Sequence, residues 1–327
     1  MSKERLTYVD TAKYLALLLV ILSHSNLYGT LLASFLFTFH VPLFFVFSGY
    51  TSKNASLGGK ILLTKRVQRL LVPYFIYAFI LGDRPNSLSM VFNIAYGSIQ
   101  TISQSTASHL WFLPCFFLSI VMYDIIEFIR GKQKSLYWIS ILVLFVLSYV
   151  TGSSMLGGNL QRGWLWGLNS AFTGCILIYT GRLLRLVINR YLDRIGNRWV
   201  LLAISIGILA LSILVTMPNW GKHVNIAYAN YGVFPLFFIT IIMMSVAVLS
   251  FAKVIDNRIT AEYGKYTLPI YAFHLPIMGV VTLFFGNNID VQSFCASIFI
   301  SFITLIITIV LIIPIKKFAP NIAGVFK

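Results

Sequence analysis

Apolar positions in this chain fall into long runs separated by short polar or basic stretches. Such runs carry neither the alternation of a half-buried strand nor the one-sided stripe of a surface helix. Each approaches the ~20 residues an α-helix needs to cross the hydrocarbon core of a bilayer. The pattern predicts about ten spans, near residues 8–26, 31–51, 70–82, 109–129, 136–152, 167–183, 199–217, 230–252, 266–286 and 293–315. The third and sixth are short, so tilt, interruption or extension by interfacial residues is expected there. Three intervening segments, 83–108, 152–166 and 218–229, exceed tight turns. The expected fold is all-α: a polytopic transmembrane helical bundle, forming one membrane domain over 1–327 with no separate soluble domain.

Composition agrees, with 58% hydrophobic and only 10% charged residues, far from the balance of a soluble domain. The net charge of +16 is explained by its distribution. With the N-terminus drawn inside, the inner segments collect most cations, among them Lys65, Arg66, Arg69, Arg182, Arg185, Lys316 and Lys317. The outer segments keep only Arg84, Arg162 and Lys222. This positive-inside bias predicts cytoplasmic N- and C-termini. It accounts for the basic balance without nucleic acid, leaving some attraction to anionic membrane lipid. The first run carries Lys13 and His24 and a second span follows at once, so it does not read as a cleavable signal. Cys115, Cys175 and Cys295 fall within spans, with the spacing of neither a disulfide framework nor a metal site.

Ionisable groups at membrane depth are costly and mark functional sites by default. Lys13 and His24 lie eleven residues apart in the first run, about three turns and ~16 Å along one helix face. A direct Lys–His dyad is therefore not expected. Lys13 reads either as a snorkelling interfacial residue or as a cation favouring an anionic ligand, and His24 either as a helix-end group bonded to a neighbour or as a base. Asp10 stands one turn before Lys13. His40 and His274 fall mid-span, either as satisfied structural groups or, with His24, as the lining of one pore. No His-x-x-x-His spacing supports a metal, and none is expected. The outer segments carry Arg162, Trp164, Trp166, Asn219, Trp220, His223 and Asn225. They suit an interfacial aromatic belt or a platform for a sugar.

Several ordered motifs carry a resemblance. Asp10-x-x-Lys13, ten residues, then His24 is similar to the opening motif of the acyltransferase-3 family of integral-membrane O-acyltransferases. Many members have Arg where this chain has Lys13, and the two cations are not interchangeable at bidentate sites. Phe39-His40-Val41-Pro42-Leu43-Phe44-Phe45 through Ser48-Gly49-Tyr50 resembles the next signature, closest to a fucose 4-O-acetylase-like branch. Lys65-Arg66-Val67-Gln68-Arg69 before Pro73-Tyr74, His109-Leu110-Trp111-Phe112-Leu113-Pro114, and Ile270-Tyr271-Ala272-Phe273-His274-Leu275-Pro276 follow in the family's order.

The resemblance implies a multi-pass enzyme of the bacterial cytoplasmic membrane. It would pass an acyl group, by expectation acetyl from acetyl-CoA, to a sugar hydroxyl of a surface or lipid-linked polysaccharide. His24 then serves as general base, with Lys13 and Asp10 in support. Lys65, Arg66 and Arg69 suit CoA phosphates through charge-assisted bonds. Trp111, His40, Tyr271, His274, Arg162 and Trp164 are the substrate-side candidates. A transporter or flippase of a glycan or acyl donor, and a non-catalytic partner in polysaccharide synthesis, fit the composition as well. Oligomeric state is not legible.

Overall fold

The computed structural model describes residues 6–25, 27, 30–52, 59–82, 87–103, 105–152, 162–285 and 293–318. Of the residues discussed above, Arg84 lies outside them. The helices are α1 (Thr7–His24), α2 (Leu31–Phe39), α3 (Pro42–Thr51), α4 (Gly59–Arg66), α5 (Val72–Leu81), α6 (Leu88–Tyr96), α7 (Ile99–Ile102) and α8 (Phe112–Lys132). They continue as α9 (Lys134–Val150), α10 (Leu168–Tyr191), α11 (Arg198–Thr216), α12 (Phe234–Ile255), α13 (Arg258–Lys265), α14 (Thr267–Phe285) and α15 (Phe294–Phe318).

The chain is all-α and polytopic. Among the described residues, seven helical stretches are long and apolar enough to cross a bilayer: Leu31–Thr51, Ser108–Lys132, Leu165–Arg194, Arg198–Asn219, Phe234–Ile255, Thr267–Phe285 and Phe294–Lys317. Leu209, Leu211 and Leu214 of α11 and Phe302, Val310 and Ile313 of α15 are exposed. Apolar side chains on the outward faces of long helices are what lipid contact requires.

Every predicted span corresponds to a helix, with local differences that have identifiable causes. The 31–51 run is broken at His40 and Val41, because Pro42 has no N–H to continue the ladder and fits best at a helix start. The third run is longer than predicted: α4, a π-helical turn over Val67–Leu71 and α5 follow without a gap from 59 to 81. Pro73 explains the turn, since its ring would clash with the carbonyl four residues back in a regular α-helix. The 83–108 segment carries structure of its own. Ser87 and Ser98 cap α6 and α7 by accepting from the N–H groups of Met90 and Thr101. Cys115 and Cys175 are buried, whereas Cys295 is exposed on α15.

Two compact units share the chain. The first comprises 1–51, 181–224 and 232–314, the second 52–180, 225–231 and 315–327. In the first unit α1 is the hub, packing against α2, α3, α12, α13 and α14. Ala12, Ala16, Leu17 and Val20 are fully buried there. The approach of α13 is close enough that a Cβ on Gly264 would lie 1.9 Å from the Asp10 carbonyl oxygen. The Thr7 and Thr11 hydroxyls donate to the Asp256 carboxylate, both at 2.6 Å, and Thr11 also meets the Thr260 hydroxyl at 3.0 Å. Asn257 and Thr260 form a capping box at the start of α13. In the second unit, α8 packs against α4, the π-helical turn and α9.

Candidate active site

The C-terminal end of α1 fixes His24. A helix end leaves carbonyls without intrahelical partners, and here side chains turn back to meet them. Ser23 Oγ donates to the Val20 carbonyl at 2.8 Å, Ser25 Oγ to Leu22 at 2.8 Å, and His24 Nδ1 lies 2.8 Å from the Val20 oxygen. A carbonyl only accepts, so Nδ1 of His24 carries the proton and the neutral ring keeps its lone pair on Nε2. Among the described residues, no hydrogen bond reaches that Nε2.

Two further histidines converge on this ring within the first unit. His40, at the break before Pro42, lies 5.9 Å from His24 between ring centroids, and His274 of α14 lies 5.4 Å away. Phe37 closes the group at 5.8 Å from His24 and 4.9 Å from His40. The same tautomer logic applies to both neighbours: His40 Nδ1 sits 2.7 Å from the Leu36 carbonyl oxygen and His274 Nδ1 2.6 Å from that of Tyr271. Three imidazoles are thus pinned through Nδ1, and each in its neutral form carries its lone pair on Nε2. His40 and His274 are buried, while His24 is half-buried. Interrupted backbone at membrane depth is tolerated where protein buries it or where it lines a cavity, and His40 sits on such an interruption.

Tyr271 is buried, its ring 5.6 Å from His274. Lys13 pairs with Asp10 at 3.3 Å, one turn apart on α1. Asp10 is buried while Lys13 is about one-quarter exposed (26%). Lys13 and His24 occupy one helix, three turns apart, so the axial gap expected from spacing stands.

The other candidates belong to the second unit. Asp124 grips Arg66 with both carboxylate oxygens, at 3.2 and 3.4 Å, and Glu127 pairs with Arg130 at 2.8 Å. Lys65 and Arg69 are exposed. Trp111 is buried beside Phe112. Arg162 is exposed, its guanidinium 5.1 Å over the Phe92 ring, and Phe92 stacks on Tyr96. Ser98 Oγ donates to the Arg162 carbonyl, Tyr96 to that of Gly163, and Trp166 Nε1 to that of Ala95. These bonds hold a turn in which Trp166 takes a left-handed φ of 54°, a conformation that costs energy for a bulky residue. Trp164, half-buried, flanks that turn.

The profile of an acyltransferase domain, that of the acyltransferase-3 family, matches residues 6–313. This chain belongs to that family. A comparison with curated proteins returns no match. The family match spans both units and includes the histidine cluster. The protein is therefore a multi-pass membrane acyltransferase.

Proposed function

We propose that this acyltransferase moves an acetyl group from acetyl-CoA on the cytoplasmic side of a bacterial membrane to a sugar hydroxyl of a surface or lipid-linked polysaccharide, with His24 as general base. The observation that carries this reading is the His24 tautomer. With Nδ1–H held on the Val20 carbonyl, Nε2 is left to accept a proton. In the step, Nε2 takes the proton of the acceptor hydroxyl as its oxygen attacks the thioester carbonyl. The tetrahedral intermediate then expels the CoA thiolate, which receives the proton back from the imidazolium. One C–O bond replaces one C–S bond, and the products are the acetyl ester and the free thiol.

The cations suit the anionic donor. Lys65 and Arg69 are favoured for its phosphates over Arg66, whose guanidinium Asp124 already holds. Lys13 of the first unit stands at the basic position of the family motif and, taken by itself, also suits an anionic donor. The positive-inside bias supports a cytoplasmic position for these cations. The acceptor-side candidates divide by unit: in the first, His40, Tyr271 and His274, and in the second, Trp111, Arg162 and Trp164, each set offering aromatic faces and hydrogen-bonding groups of the kind that hold sugars.

The test is purified protein in liposomes, given acetyl-CoA and the producing cell's surface polysaccharide stripped of esters with mild alkali. Thiol release that depends on the polysaccharide supports the proposal. Polysaccharide or acyl donor crossing the bilayer with no thiol released would assign transport instead.

A further inference from the structure

The segment joining α11 to α12 holds two buried hydrogen-bond donors that meet no acceptor among the described residues. The Asn219 side chain is 2% exposed. Its Oδ1 accepts from the Val233 N–H at 2.6 Å, which fixes the amide orientation and turns Nδ2 the other way. Among the described residues, neither Asn219 Nδ2 nor the neighbouring Trp220 Nε1 has a hydrogen-bond partner, and both atoms are closed off from solvent. Unsatisfied buried polar atoms are few in native proteins, so each calls for an explanation. The Asn219 arrangement is also enforced. Gly232 adopts φ 60°, and a Cβ there would lie 2.4 Å from Asn219 Oδ1.

Counted along the packed helices, these donors fall toward the His24 end of the first unit. Lys253, near the end of α12, stands 4.5 Å over the ring of Tyr8, near the start of α1, and the two helices pack together. Counting sixteen residues in the opposite sense along each helix brings Phe237 level with His24, a common rise of ~24 Å. Val233 is four residues further, ~6 Å beyond His24 along the axis. Asn219 is hydrogen-bonded to Val233 and Trp220 is next in the chain.

We propose that Asn219 Nδ2 and Trp220 Nε1 form a subsite that donates hydrogen bonds to oxygen atoms of the acceptor carbohydrate. His24 Nε2 can only accept, whereas an amide N–H and an indole N–H can only donate. A polyol satisfies both kinds of group, since each hydroxyl gives one proton and offers lone pairs. The inference rests on the acyl-transfer reading above and adds where and how the acceptor is gripped.

The test is equilibrium binding of the alkali-stripped surface polysaccharide to the full-length protein in nanodiscs. Two variants are compared with wild type. Asn219→Asp keeps the oxygen that Val233 needs and removes the donor, and Trp220→Phe keeps the aromatic ring and removes the N–H. Each is expected to weaken binding about three- to tenfold. If Asn219→Asp does not fold, Trp220→Phe alone decides. Unchanged affinity in a folded Trp220→Phe protein overturns the proposal. A wild type that fails to bind the polysaccharide, yet still releases thiol from acetyl-CoA with another acceptor, also overturns it while acyl transfer survives.

Discussion

Gly264→Ala tests the packing that holds α1, and through it His24, in place. A Cβ at this position would lie 1.9 Å from the Asp10 carbonyl oxygen and 2.3 Å from its carbon. Those are backbone atoms of a buried helix and cannot rotate away. Restoring ordinary contact at 3.4 Å requires the helices to part by 3.4 − 1.9 = 1.5 Å. The 3.0 Å contact between the Thr11 and Thr260 hydroxyls, which joins α1 to α13, would lengthen with the crossing. Overpacking costs about 1–3 kcal/mol, and a hydrogen bond between neutral groups contributes about 0.5–1.5 kcal/mol. Together they predict a loss of about 1.5–4.5 kcal/mol. Gly207 in α11 is the control, because nothing lies within 4 Å of its would-be Cβ. There Ala is expected to be neutral or stabilising by up to about 1 kcal/mol, as in other helix interiors. Thermal unfolding in one detergent, with both variants beside wild type, reads the difference. A Gly264→Ala protein as stable as Gly207→Ala would refute the close α1–α13 crossing.

Other predictions follow from the two ion-pair and ring clusters. Arg66→Ala strands the Asp124 carboxylate, whose side chain is 14% exposed. With Arg66 itself partly solvated, the loss is about 1–3 kcal/mol, and Arg66→Ala/Asp124→Asn should recover part of it in the same unfolding assay. His274→Ala, which removes a ring 5.4 Å from His24, is expected to lower turnover at least about tenfold while the protein still accumulates in membranes. That magnitude lies below the 10²–10⁴-fold typical of a general base itself, and wild-type turnover would exclude His274 from the site. Lys65→Glu combined with Arg69→Glu should raise KM for acetyl-CoA more than it lowers kcat, and an unchanged KM would remove these cations from the donor site.

The seven stretches long and apolar enough to span were legible because crossing a bilayer demands a run of apolar residues, and the sequence shows the runs directly. His24 was legible as a costly group at the end of such a run, beside a motif. What spacing does not reveal is convergence. His24, His40 and His274 meet because α1, the break before Pro42 and α14 pack together, and nothing in a linear pattern marks that meeting. The Asp124–Arg66 pair depends on packing in the same way, since it joins α8 to α4 across a long stretch of sequence. The π-helical turn before Pro73 and the capped helices α6 and α7 escape a hydropathy reading. They depend on single prolines and serines inside segments whose overall character says span or loop. Asn219 and Trp220 read from sequence either as part of an interfacial belt or as part of a sugar platform, and their burial without acceptors among the described residues is visible only in the structure.

The central claim concerns one nitrogen, Nε2 of His24. His24→Asn retains an N–H to meet the Val20 carbonyl but carries no base. Thiol release from acetyl-CoA by purified protein with the alkali-stripped polysaccharide is the direct measurement. The account predicts a fall of at least about 10²-fold in turnover, with unchanged membrane abundance and thermal stability. Turnover within a few-fold of wild type in a folded His24→Asn protein would contradict it.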